Sequence, residues 1–191
     1  IEASPVLEHD FLEKNASLLV TGILILAFLL RAAALVSMKG SIYGDFLLWD
    51  ERIYHHWAIK ITAGEFSSTS VYEFSPLPAY LMAIIYRAFS PDILYIKLFN
   101  LILGVLTCFF IYRIAYEIGN HKIALIAGIL GCFCQELILF SIVPLNTAQS
   151  IFLFAVTIYL ITLLMKIPSP IHAGLLGIVI GLLINVRPNC A

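Results

Sequence analysis

The chain has 191 residues, of which 61% are hydrophobic and 12% charged, with a formal net charge of −1. A soluble domain carries about 25% charged residues, so this chain has too few polar side chains to cover a water-facing globule. A mean hydropathy of +0.99 leaves a polytopic membrane protein. The near-neutral charge excludes a nucleic-acid binder, which would carry a basic stripe.

A hydrocarbon core takes roughly 20 helical residues to cross, and the gaps between ionisable residues predict five spans in an all-α fold. The first covers 18–38, with Arg31 near its far end placed to snorkel to the surface. The others cover 93–115, 123–140 (with Gln135 and Glu136 close to its exit), 146–165 and 171–186. The last follows the Pro168-Ser169-Pro170 break and contains Gly177-x-x-x-Gly181, a spacing that allows close helix contact in lipid. The apolar stretch at 76–87 is about half the length a span needs and reads as a helix lying on the membrane. Residues 1–17 form an N-terminal tail, 18–191 the membrane part, and about 39–92 a first large loop. A start at Ile1 and a stop at Ala191, just after an apolar run, predict the N-terminal piece of a longer protein whose C-terminal remainder is absent.

With five spans, the 39–92 loop, the turn near Ser141 to Pro144 and Arg187-Pro188-Asn189 share one side. Charge does not orient the chain: Lys39, Arg52, Lys60, Arg87 and Lys97 crowd the large loop, while Lys14, Arg113, Lys122 and Lys166 mark the other side. Of the cysteines, Cys108, Cys132 and Cys134 lie inside apolar runs and Cys190 lies near the end of the chain. Cys132-x-Cys134 lacks the two-residue spacer of zinc or redox motifs, so these thiols read as small apolar residues.

The large loop holds most of the ionisable groups outside the tail. Within it, 50–61 has helical periodicity, with Ile53, Trp57 and Ile61 at four-residue steps. Asp50 suits the N-cap, Glu51 the first turn and Gly64 the stop, and Tyr54 and Trp57 suit an interface. Asp50 either caps this helix and does nothing more, or also serves as a general base that takes a proton from an attacking acceptor. Asp45 is a second, less supported carboxylate. Glu51 and His55, four apart on one face, could hold a divalent metal, but two ligands do not make a site. No cofactor follows with certainty from the sequence, and a divalent metal is an option.

At these residues the chain resembles the GT-C superfamily of lipid-linked glycosyltransferases, in the branch of the protein O-mannosyltransferases and the aminoarabinose transferase of lipid A. The features, in the family's order, are Arg31, Asp50-Glu51-x-x-Tyr54, Trp57-Ala58, the Pro-rich step at Ser75-Pro76-Leu77-Pro78, the span from Leu98-Phe99-Asn100, and Val186-Arg187-Pro188-Asn189. The resemblance implies an inverting transferase that draws on a polyprenyl-phosphate or polyprenyl-diphosphate sugar. Asp50 would be the base, with Glu51 beside it, and the large loop would face outward from the cytoplasm. Arg187, with Arg52 and Arg31, would hold the donor phosphate, and Tyr54 and His55 would contact substrate. The acceptor would be a glycan, a lipid or a protein, presenting a hydroxyl or an amine. One departure stands out: family members often carry Thr-Glu-Pro at the start of the fourth span, where this chain reads Leu145-Asn146-Thr147-Ala148. Glu136 would either replace the missing acid or sit as an interfacial charge.

Two other classes remain at this stage. A transporter fragment would carry ionisable residues near span midpoints, which here lack Asp, Glu, Lys and Arg. A non-catalytic membrane assembly subunit fits the composition equally well.

Overall fold

The computed structural model of the chain describes residues 14–41, 47, 49–65 and 74–187. These residues form α1 (Ala16–Ser37), α2 (Asp50–Ala63), α3 (Pro76–Ala88), α4 (Ile93–Ile118), α5 (His121–Phe133), α6 (Gln135–Ile142), α7 (Thr147–Lys166) and α8 (Pro170–Val186). Among the described residues there is no strand. In hydrocarbon a helix is the natural state of an open chain, because it satisfies its own backbone without water. The protein is therefore an all-α polytopic membrane protein, as its composition requires.

Three helices, α1, α4 and α7, are long and apolar enough to cross a membrane. The expected continuous span over 123–140 is instead the pair α5 and α6, bent by 54° at Cys134. The break comes directly before Gln135 and Glu136, both exposed. Starting a new helix there keeps the carboxylate off the apolar interior and puts Glu136 in a first turn, where the helix dipole favours it. Helix α8 has 17 residues, about 25 Å of rise against the ~30 Å of a hydrocarbon core.

Helix α4 is the centre, packed against α1, α3, α5, α6 and α7, while α8 lies on α7 and α3. Large apolar side chains point outward along the long helices, among them Ile25, Leu29, Ile102, Phe154 and Ile178. Such a band suits lipid and would be an aggregation surface in water. Hydroxyl groups in these helices bond back to the preceding turn, as Thr107 Oγ1 does to the Leu103 carbonyl and Thr157 Oγ1 to that of Leu153, each at 2.8 Å. No polar hydrogen is left to face hydrocarbon at those positions.

Lipid tails are as apolar as leucine, so the spans associate through close packing. At Gly104 an added Cβ would lie 2.5 Å from Ser141 Cβ and 2.8 Å from Arg31 Nε. At Gly128 it would lie 2.8 Å from Ile23 Cδ1. These glycines set how closely α4 meets α1 and α6, and how closely α5 meets α1. Cys108 and Cys132 fill the same interface, both fully buried and free; Cys190 lies outside the described residues. The Gly177 and Gly181 face of α8, by contrast, meets nothing within 4 Å among the described residues.

At the end away from the large loop, Glu117 on α4 binds Arg113 at 3.1 Å and Lys166 of α7 at 3.0 Å, and Arg113 also reaches the Tyr159 hydroxyl at 3.1 Å. Positive charges expected on that side are thus partly neutralised by a carboxylate that also ties α4 to α7.

Gly104→Val should lower the thermal midpoint of the protein in detergent, because overpacking a close contact costs about 1–3 kcal/mol. Gly177→Ala should leave it level or raise it, since alanine is the better helix former by up to ~1 kcal/mol. An unchanged midpoint for Gly104→Val would contradict the packing described.

Candidate active site

The site is built at the end of α4 that follows the large loop. Helix α2 begins at Asp50, with Trp49 rather than Asp50 in the N-cap position. The Trp49 carbonyl accepts the first helical bonds from Arg52 N (3.1 Å) and Ile53 N (3.4 Å), which moves Asp50 into the first turn beside Glu51. Both acids sit where the helix dipole favours negative charge. Trp49 holds φ 41° and ψ −113°, a backbone conformation rare for a side chain this large, and is 88% exposed. Strain of this kind costs about 1–3 kcal/mol and gathers at functional sites. Gly64 ends the helix in the left-handed conformation, with Gly64 N bonded to Ile61 O and Glu65 N to Lys60 O, the paired bonds of a glycine stop.

Helix α3 opens on Pro76, whose fixed φ suits a first turn, and packs along α2. Ala58 of α2 and Ala79 and Ala83 of α3 are buried and let the two backbones approach, while Met82 and Tyr86 fill the remaining space with Ile96 of α4. Each large side chain so buried contributes roughly 1.5–3 kcal/mol. The pairing is pinned by a 2.7 Å hydrogen bond between His55 Nδ1 and the Tyr86 hydroxyl, their rings edge to face at 5.5 Å. Burial, and secondarily the Asp92 carboxylate, pushes the Tyr86 phenol up to about 12, so it stays protonated and donates. Burial, helped by neighbouring His56, moves the His55 pKa down, so the imidazole is neutral and accepts.

Tyr54 is buried, 3% exposed, within an aromatic triangle with Trp57 and Phe74. Burial and then the nearby Asp50 carboxylate raise its pKa, against a hydrogen bond with Ser75 that lowers it. Its hydroxyl receives the Asn146 side-chain amide at 3.4 Å, and the same Nδ2 donates to the Val186 carbonyl at 2.9 Å. Asn146 is the N-cap of α7, and Val186 ends α8 immediately before Arg187. The turn leading into α7 is fixed from beneath by Asn100, fully buried, whose Nδ2 donates to the carbonyls of Val143 (2.8 Å) and Leu145 (3.0 Å). The start of α2, the first turns of α4 and α7, and the end of α8 therefore meet at one end of the bundle.

Of the residues singled out from sequence, Asp50 and Arg52 lie exposed at the start of α2, Glu51 is buried beneath them, and Arg187 is exposed at the end of α8. Tyr54 and His55 serve first as anchors of α2, one toward Asn146 and the other toward Tyr86. Arg31 does not join this group, and it does not snorkel. It is 0% exposed, with Nη1 on the Ala27 carbonyl (3.2 Å) and Nη2 on Cys108 Sγ (3.4 Å), while its buried Nε has no partner among the described residues. Its side chain points back toward the start of α1, as helical side chains do, and reaches Cys108. That position lies about 12 Å of helical rise beyond Asn100 along α4. Glu136 is exposed, 3.4 Å from the Cys134 thiol. Asp45, Pro188 and Asn189 lie outside the described residues. Among the described residues no three His, Cys, Asp or Glu side chains gather as a metal site, so the Glu51 and His55 pair acquires no third ligand there.

Asn146 was visible in the sequence only as a departure from an acidic motif, and nothing local to it marks a contact with Tyr54. Tyr86 read simply as an aromatic in a short helix. Gln149, one turn into α7, is 3% exposed, and among the described residues its buried Oε1 and the Asn100 Oδ1 have no partner. Orphaned acceptors of this kind at a site are where a water or a ligand hydroxyl enters.

Because folding lowers the His55 pKa, the unfolded chain binds the proton more tightly. The stability that comes from neutral His55 is full above the ordinary histidine value of ~6.5 and is lost as pH falls from there toward the folded pKa. The thermal midpoint should therefore drop on acidification below about 6.5, and His55→Gln should flatten that drop. An unaltered pH profile in His55→Gln would contradict the His55–Tyr86 pairing.

No curated protein and no solved structure matches the chain. The family described as dolichyl-phosphate-mannose-protein mannosyltransferase matches residues 73–191, well over half of the sequence. The chain belongs to the dolichyl-phosphate-mannose-protein mannosyltransferase family, a GT-C family of membrane glycosyltransferases.

Proposed function

We propose that the protein takes part in inverting transfer of a sugar from a polyprenyl-phosphate-linked donor to an acceptor hydroxyl or amine at the extracytoplasmic membrane face. The observation that supports this most is the convergence of the Asp50 end of α2 and the Arg187 end of α8 around one side chain, Asn146. A donor with a lipid tail stays in the bilayer, so its phosphate and sugar are handled at the membrane surface. A carboxylate and a guanidinium at the same end of the bundle suit that task.

Asp50 takes the proton of the acceptor O–H or N–H as the acceptor atom forms a bond to the anomeric carbon. The bond from that carbon to the phosphate oxygen breaks on the opposite face, its electron pair passes to the phosphate, and the configuration inverts. Arg187, joined by Arg52, offers paired N–H donors to the phosphate as negative charge builds on it. Glu51 lies buried beside Asp50, while Tyr54 and His55 fix the angle of α2 against α7 and α3. Arg31 belongs to the bundle interior and has no part in this scheme.

In membranes carrying the enzyme at its natural length, Asp50→Asn should cut mannosyl transfer from dolichyl-phosphate mannose by roughly 10²–10⁴-fold, the range a general base supplies, with insertion unchanged. Arg187→Ala should cut it by about 10²-fold or more. Transfer at the wild-type rate in Asp50→Asn would refute the base assignment.

A further inference from the structure

We infer that Asn146 is a positioning residue that sets the distance between the base and the phosphate-binding arginine. The inference rests on the reading of Asp50 and Arg187 given above and adds a residue to it. One amide nitrogen is shared between two acceptors on separate helices. It donates to the Tyr54 hydroxyl, one turn beyond Asp50 on α2, and to the Val186 carbonyl, the residue before Arg187 on α8. Neither contact touches Asp50 or Arg187, so Asn146 acts on both through the backbones that carry them.

The surroundings make this amide a fixed point. Its own carbonyl accepts from Ser150 N and Ser150 Oγ, each at 3.0 Å, which anchors it on α7. The preceding turn is held to α4 by Asn100. Tyr54 in turn cannot swing, being wedged against Trp57 and Phe74. A rigid bracket thus runs from α4 through the turn to Asn146, and from there to both the base helix and the phosphate end. An acid at this position could not play the same part. A carboxylate has no N–H to give the Val186 carbonyl, so it would repel that oxygen and leave the end of α8 unheld.

The test compares Asn146→Leu, which keeps the volume without the donor, and Asn146→Ala, in membranes carrying the enzyme at its natural length and supplied with dolichyl-phosphate mannose. A displaced reacting group of about 1 Å costs on the order of 10²-fold in rate, so kcat should fall tenfold to a hundredfold while the KM for donor stays within about threefold. In a Tyr54→Phe background the further loss from Asn146→Leu should shrink, because one arm of the bracket is already cut. Wild-type kcat in both Asn146 variants would overturn the inference. So would a loss that follows thermal stability alone, or full additivity with Tyr54→Phe. Asp50→Asn, run alongside, separates the two claims: if it is inactive while the Asn146 variants are normal, the base stands and the bracket falls. If it is active, the base reading itself falls.

Discussion

Inside a bilayer no water is available to complete a hydrogen bond, and each polar group must find its partner within the chain or sit at an end. That constraint shapes this molecule from its helices to its site. It explains why the threonines fold back onto their own helices, why Asn100 gives both bonds to one turn, and why Asn146 divides its amide between α2 and α8. At the loop end of the bundle, Asn100, Asn146 and His55 are committed to holding separate segments together, while Asp50, Arg52 and Arg187 stay exposed. A site with shape results from what began as a need for satisfaction.

Two packing regimes meet at that end. Between the spans, association depends on close approach, and Gly104 and Gly128 supply it. In the α2 and α3 pair, alanines on both helices and buried Tyr54, Met82 and Tyr86 form a small core of the kind a soluble protein uses. Ile96 of α4 belongs to that core, so the loop helices are seated on the membrane part instead of hanging from it. The seating gives Asp50 a defined place relative to Arg187. Against this order, Arg31 stands apart as a buried cation held by a carbonyl and a thiol, deep between α1 and α4. A charge so placed is costly in lipid, and its packing against Gly104 and Ser141 ties it to the geometry of three helices.

Much of this was legible in the amino-acid order. Apolar runs with few charges located α1, α4, α7 and α8 to within a few residues, and the four-residue step through Ile53, Trp57 and Ile61 located α2, with Gly64 as its stop. Five crossings would put Asp50 and Arg187 on one side, and in the structure the helices that carry them meet at Asn146. Three things were hidden, for physical reasons. The bend at Cys134 has no proline to announce it and depends on where Gln135 and Glu136 can sit. Snorkelling was the reasonable expectation for Arg31, but side-chain direction in a helix and the space at Gly104 turn it inward. Asn146 is joined to Tyr54 across 92 positions of sequence, a contact that only tertiary folding creates.

A shared site requires the start of α2 and the end of α8 to face the same compartment. Single cysteines at positions 52, 122 and 187, in a background lacking the native thiols, can be labelled on intact cells with a membrane-impermeant maleimide. Arg52→Cys and Arg187→Cys should label together from outside, and Lys122→Cys, at the opposite end of the bundle, should label only after the membrane is opened. Labelling of positions 52 and 187 from opposite sides would contradict the shared site.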